Sequence, residues 1–483
     1  MNTWEIVASC VASMLVGLVA GGIISDRVQK ARSSVVYRRL CDAFKPTSLA
    51  CLTVTERQFP ARIRADLQRA IEEYFGRVSE VHHLCGVRVD EDMFGIDLSY
   101  LMTAGASAWE VPLQNEDVNI GGEAYMRCPR NALWIASVDG LRMAVLLSKV
   151  FAFQEPPRIK IHVATNNDEK GAKISGEFLS QLESAVKKAE SYRGKVLSLE
   201  NGESYGGEGT GIKVHQMTPV KRENVILPEE TLGLVERNVL QFAAQRRRLR
   251  ELQQSTKKGL LFHGPPGNGK TYTIRYLIGA LPGHTTLIIT GAQVAQLTEY
   301  MALARLLQPS LVVIEDIDLV AKERVTSGMS CEEPLLNQLL NEMDGLAQDA
   351  EIIFILTTNR PELLEEALAA RPGRVDQAVK FAAPSAAERT RLALLYAADV
   401  ELLPEVVEKV VGVTQGASAA FIKELVRRAI QLHLARTGDA KIEAQDVQEA
   451  LNELLSNQGS VSGRVIGYSV PATPLGSGNG CGS

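Results

Sequence analysis

Apolar residues crowd one end of this chain. From Ile6 to Ile24 run 19 residues without a charge, IVASCVASMLVGLVAGGII. A helix that crosses a bilayer needs about 20 such residues. The preceding segment, MNTWE, carries no Lys or Arg, whereas Arg27, Lys30, Arg32, Arg38 and Arg39 follow the apolar run. A signal peptide would have its basic residues first. The positive-inside rule then predicts residues 1–26 as a single-pass anchor, with the N-terminus outside and the bulk of the chain cytoplasmic, or on the matrix side of an organelle. Ser9, Ser13, Gly17 and Gly21 fall four apart and would line one face of that helix, a spacing that lets helices approach closely.

Beyond the anchor the periodicity changes. Residues 27 to about 60 read as amphipathic helix, with Val36, Leu40 and Phe44 at helical spacing. Short β-rich runs follow at 132–138 (ALWIASV), 158–164 (RIKIHVA) and 194–200 (GKVLSLE), with a helical pattern between the last two. This predicts an α+β domain over 27–212, whose ligand and partner are not legible. Its end, 201–212, holds five glycines in twelve residues and reads as a loop. No strand-to-helix context and no Lys-Ser/Thr pair turns it into a phosphate cradle.

The next apolar strand, GLLFH at 259–263, runs into Gly264-Pro265-Pro266-Gly267-Asn268-Gly269-Lys270-Thr271, and a helical pattern follows. This is GxxxxGK[ST] with strand before and helix after. Glycines let the backbone N–H groups wrap a polyphosphate at the positive end of the helix. Lys270 is expected to reach the β and γ phosphates of ATP, and the Thr271 hydroxyl to ligate Mg²⁺. A buried strand at 311–314 ends in Glu315-Asp316, adjacent carboxylates suited to holding the metal and activating water. A third strand at 351–357 ends at Thr358-Asn359, a polar tip able to orient the attacking water. Arg371 and Arg374 in RPGRVD sit on a stiff Pro-Gly turn, where permanently charged guanidiniums suit a neighbouring subunit's γ-phosphate.

Composition adds exclusions. The 483 residues are 45% hydrophobic and 23% charged, enough core material for about three domains. A net charge of −5 gives no reason to expect nucleic acid as a partner. Seven scattered cysteines, none in a CxxC pair, read as reduced thiols rather than a disulfide framework. His82-His83-x-Cys85 has no second ligand pair at finger spacing, so zinc is not expected there.

Residues from about 221 to 455 resemble the AAA family of P-loop ATPases through GPPGNGKT, PSLVVIEDID, LLNQLLNEMDGL, TTNRPELLEEAL and RPGRVD. The resemblance implies an α/β fold: a parallel-sheet ATPase core (213–384) and a C-terminal helical lid (385–456), then a Gly/Ser-rich tail (457–483) expected to be disordered. It implies a homo-oligomeric ring of six or seven subunits that spends ATP on a protein client. It makes Asn359 the first sensor and Arg371 and Arg374 fingers acting in trans. Gly416-Ala417 would lie where the lid meets adenine and ribose, and Ile226, between Val225 and Leu227, would wall the adenine pocket.

Two departures bear on mechanism. The family usually reads Asp-Glu where this chain has Glu315-Asp316. Position assigns Mg²⁺ to Glu315 and water activation to the shorter Asp316, so slow hydrolysis is expected. Between Gly291 and Pro309 the chain is shorter than in unfoldases and lacks an aromatic–hydrophobic–Gly triplet, which argues against threading. In these features the chain is similar to the membrane-anchored mitochondrial branch that translocates the folded Rieske iron–sulfur protein, whereas LLNQLLNEMDG is closer to membrane AAA proteases and proteasomal ATPases. No HExxH occurs in the sequence, so a built-in zinc protease is not expected. The functions left open are a membrane remodeller or translocase, a motor for a separate protease, and a ring that assembles on ATP with little turnover.

Overall fold

The computed structural model describes residues 35–90, 95–121, 124–152, 155–199, 211–318, 333–362, 375–438 and 441–456. The predicted anchor and the tail lie outside these residues, as do the glycine-rich run at 201–210 and both finger arginines. Among the described residues no helix is long and apolar enough to cross a membrane. The chain divides into two compact units. One comprises the chain up to Tyr192 together with Leu199–Val214; the other takes in Arg193–Ser198 and everything from His215 onward.

The first unit is built on an antiparallel sheet. Its elements are helix α1 (Val35–Phe44), strand β1 (Leu52–Pro60), helix α2 (Arg64–Val78), strands β2 (Ser79–Val89), β3 (Ala108–Val111), β4 (Asn131–Val138), β5 (Leu141–Ala152) and β6 (Glu155–Asn166), and helix α3 (Glu169–Lys188). The strand order is β1-β6-β5-β4-β2-β3. Val36, Leu40 and Phe44 of α1 are buried against Cys85, Val87, Leu133, Ile135 and Leu146 on one face. Alternation sends Trp134 to the other face, where its ring stacks on Phe75 of α2 at 5.8 Å and Tyr74 meets Phe178 of α3 edge-on at 4.7 Å.

The helix predicted to reach about residue 60 stops at Phe44. Leu52–Pro60 (LTVTERQFP) is instead a strand paired with β6, Leu52 opposite Asn166 and Pro60 opposite Arg158. Its β-branched Thr53, Val54 and Thr55 favour the extended chain, and Pro46 in between cannot donate to a helix ladder.

The second unit holds strand β7 (Val196–Leu199), strand β8 (Lys258–His263), helix α4 (Lys270–Ala280), strand β9 (Thr285–Ile289), helix α5 (Leu297–Leu306), strand β10 (Ser310–Ile314), helix α6 (Glu333–Asp344), strand β11 (Ile352–Thr358) and strand β12 (Gln377–Lys380). Pairing is parallel throughout the run β7-β9-β10-β11-β8-β12. Strands buried on both faces read as unbroken apolar runs, as Leu311–Ile314 and Ile352–Leu356 do. β7 falls within the 27–212 interval read from sequence as one α+β domain, yet it pairs with β9 of this sheet. A strand of four residues carries no signal of which sheet it will join.

Four further helices follow the sheet: α7 (Ala386–Ala397), α8 (Pro404–Val413), α9 (Ala419–Thr437) and α10 (Ala444–Ser456). They enclose their own core of Leu392, Val406, Val410, Phe421, Leu425, Val447 and Leu451.

Candidate active site

Parallel register brings the carboxyl ends of three strands together. His263 ends β8 opposite Thr358 of β11, and Ile314 ends β10 opposite Leu356. Ligands of open parallel sheets bind at such ends. The predicted phosphate loop leaves β8 here and re-enters helix at Lys270.

Two of its glycines are required by their surroundings. Gly264 has φ +142° and packs so closely on β12's continuation that a Cβ would stand 2.3 Å from the Phe381 carbonyl oxygen. Gly267, at φ +80°, faces the lid, where a Cβ would come within 2.9 Å of Ala420 Cβ. The first helical bond of α4 runs from Thr273 N to Gly269 O at 2.8 Å, leaving the preceding amides outside the helix ladder. Thr271 is exposed on the first turn of α4. A backbone cradle, a lysine at the helix start and an exposed hydroxyl beside it suit a polyphosphate and its magnesium ion. Asn268 is buried and donates through Nδ2 to the Phe381 carbonyl at 3.3 Å.

The Lys270 ammonium donates to Gly264 O at 2.7 Å, Pro265 O at 3.1 Å and Asn359 Oδ1 at 2.8 Å. Burial pulls its pKa below the ordinary lysine value, and the Asp316 and Asp318 carboxylates oppose that pull. Asn359 Nδ2 in turn donates to Asp316 Oδ1 at 3.1 Å. The amide orientation is therefore dictated by charge: its oxygen faces an ammonium and its nitrogen faces a carboxylate. Flipping the amide would produce two repulsive contacts. Lys270, Asn359 and Asp316, read separately from three stretches of sequence, form one hydrogen-bonded chain.

Asp316 adopts φ +49°, the left-handed region that a non-glycine residue rarely enters. Its backbone N–H donates to Thr357 Oγ1 at 2.9 Å, which holds that turn against β11. The Glu315 N–H donates to Ile289 O at 3.0 Å, which ties the same turn to β9. A residue passed over in the sequence reading also lies here. Asp318 is 3% exposed, and its Oδ1 accepts from Thr358 Oγ1 at 2.8 Å and from the Asn359 N–H at 3.1 Å. The available signal was a third carboxylate in Glu315-Asp316-Ile317-Asp318, two residues beyond the pair.

The lid reaches this site through the turn between α8 and α9. Gly416 has φ +77°, Ala417 is fully buried, and Ser418 caps α9 by accepting from the Phe421 N–H. Ala420 N donates to Gly267 O at 3.0 Å, coupling the lid to the phosphate loop. At the other predicted wall, Val225 and Leu227 enter the core of the α/β unit, while Ile226 packs against the lid core. Ile226 thus stands at the seam between core and lid.

RPGRVD is described only from Val375 onward. Asp376 accepts from the Gly259 N–H at 2.8 Å, and its own N–H donates to Gly259 O at 2.8 Å. This anchors Asp376 near the start of β8. Gly264 lies five residues further on at the opposite end, about 16 Å of extended strand away.

In the first unit, His83, Cys85 and Glu110 each bring one potential metal ligand within 4.8 Å of the others. Arg39 already pairs with Glu110 through both carboxylate oxygens, so a guanidinium occupies the position a cation would need. Burial pushes the Cys85 thiol up to about 12 and Cys128 up to about 11, which keeps both as inert core thiols.

The family described as "ATPase family associated with various cellular activities (AAA)" matches residues 260–383. The chain is 31% identical over 262 residues to ATP-dependent zinc metalloprotease FtsH 2 of Symbiobacterium thermophilum, covering 52% of this chain and 44% of that protein. It is 30% identical over 255 residues to FtsH 3 of Sphaerobacter thermophilus, covering 50% and 52%. It is 31% identical over 231 residues to FtsH of Thermus thermophilus, covering 45% and 37%. The chain therefore spans about half, or less, of the length of these curated relatives. The phosphate loop, the carboxylate pair and the Asn359 amide lie at one set of strand ends inside the matched region: the chain carries an ATPase domain of the AAA family of P-loop proteins, a family that uses ATP with Mg²⁺.

Proposed function

We propose that this chain is a membrane-anchored AAA ATPase that hydrolyses ATP in a ring of identical subunits and spends the energy on remodelling or translocating protein clients at the membrane face. The observation that carries the hydrolytic reading is the Lys270–Asn359–Asp316 chain at the strand ends. In this reading Lys270 and the loop amides hold the β and γ phosphates, and Thr271 and Glu315 hold Mg²⁺. When bound, the metal neutralises phosphate charge and orients the oxygens. Asp316 accepts a proton from the attacking water, and Asn359 positions that water. Arg371 and Arg374 serve the neighbouring subunit. Support for action in trans comes from the two arginines on the Pro-Gly turn of RPGRVD, whose Asp376 is anchored near the start of β8.

The membrane part rests on the uncharged stretch from Ile6 to Ile24 and the basic residues after it. A second reading, a motor for a separate protease, is favoured by the relatives being ATP-dependent metalloproteases while this sequence holds no HExxH. Asp316→Asn separates these readings. It is expected to bind ATP normally and to lose two or more orders of magnitude in hydrolysis, the scale of a missing general base. In membranes, its crosslinked partners should then be client proteins. A peptidase among them favours the protease motor. Partners identical to those of Lys270→Ala would remove the client reading.

A further inference from the structure

We infer that Asp318 is a positioning residue for ATP hydrolysis, acting through Asn359 rather than on the nucleotide. The inference rests on the ATPase reading and adds a residue to it.

Asn359 is held at two places by two carboxylates from one turn. Asp316 takes its side-chain N–H, and Asp318 takes its backbone N–H. The remaining end of the amide, Oδ1, accepts from Lys270. Asp318 thereby fixes the base of a side chain whose tip spans the phosphate-binding lysine and the proposed base. The same Asp318 oxygen accepts from Thr358 Oγ1, and Thr358 Oγ1 accepts from the Arg360 N–H at 2.9 Å. The first residues beyond β11 are thus wound onto one buried carboxylate oxygen.

The geometry separates this role from mere packing. A buried carboxylate is costly unless its partners are good ones, and an apolar residue would fill the space more cheaply. Asp318 is 3% exposed, and both of its donors belong to the strand tip that carries the sensor amide. Asp316 reaches Asn359 from a left-handed backbone conformation, a strained geometry that persists where surroundings over-determine it. Asp318 supplies part of that determination by binding the turn beyond β10 to the end of β11. Without it, Asn359 keeps its two tip contacts but loses the anchor at its backbone.

The test uses the full 483-residue chain and compares steady-state ATP hydrolysis with nucleotide binding. Asp318→Ala should lower kcat about 10- to 100-fold, the cost of misplacing a catalytic group by about an ångström. Its KM and the dissociation constant for a fluorescent ATP analogue should change less than about threefold. Asp318→Asn keeps a carbonyl oxygen for both donors and should recover most of kcat. Thr358→Val removes the hydroxyl donor and leaves the Asn359 N–H bond, so it should cost much less than Asp318→Ala. Should Asp318→Ala fail to fold, the other two variants decide: Asp318→Asn below about a tenth of the wild-type kcat, or Thr358→Val costing about 10-fold or more, overturns the inference. The inference is overturned if Asp318→Ala retains wild-type kcat, if kcat and binding fall together, or if Thr358→Val costs as much as Asp318→Ala. A wild-type chain without Lys270-dependent hydrolysis would instead remove the ATPase reading itself.

Discussion

Most of the chemistry turns on single residues whose neighbours the sequence does not show. Lys270 was legible because GxxxxGK[ST] between a strand and a helix has few other uses. Its contact with Asn359, 89 positions away, comes from parallel register between β8 and β11. Asp318 was passed over because an acidic residue after a buried strand reads equally well as the start of a helix. A similar residue in the first unit, Asp66 on α2, is 4% exposed and accepts from the Ser191 N–H at 2.8 Å. Burial raises its pKa above the usual aspartate value, against the lowering pull of that hydrogen bond. Between the ordinary and the raised value the native state binds a proton that the unfolded chain has released, so stability falls as pH rises through that window. Asp66→Asn keeps an acceptor for Ser191 and removes the charge. Its melting temperature should match or exceed wild type at neutral pH, and the gap should close on acidification below the ordinary aspartate range. A gap that widens on acidification would contradict this account.

Elements were read with uneven success, for reasons that differ between the two units. Strands at 311–314 and 352–358 announce themselves by unbroken apolar character, and their ends place the site. α9 and α10 show clear helical periodicity, and the Ser418 cap marks where α9 begins. Leu52–Pro60 went the other way. The helical spacing of Val36, Leu40 and Phe44 does not extend past Pro46, and the run of Thr, Val and Thr favours a strand. β7 shows a further limit. Its four residues suffice for pairing with β9 but not for telling an antiparallel sheet from a parallel one by sequence.

For the whole molecule, the proposal of a ring rests on the resemblance of RPGRVD to the family's finger motif. Asp376 itself is bonded near the start of β8, while the phosphate loop leaves the other end of that strand. If Arg371 and Arg374 act in trans, as proposed, a complete site needs two subunits. Mixing two inactive variants tests this. Arg371→Ala/Arg374→Ala and Lys270→Ala should each be at least about 100-fold slower alone. Mixed and reassembled, they should recover part of the wild-type rate, since a loop-intact subunit then meets a finger-intact neighbour. No recovery in verified mixed rings would contradict action in trans.

The central claim is that Lys270 and its partners hydrolyse ATP, more slowly than a typical AAA unfoldase because Asp316 stands where the family usually has glutamate. Phosphate release by the purified full chain with ATP and Mg²⁺ measures it directly. The account predicts a low but reproducible rate that Lys270→Ala reduces by about two orders of magnitude or more. A rate unchanged in Lys270→Ala, or no release by wild type despite ATP binding, would contradict it.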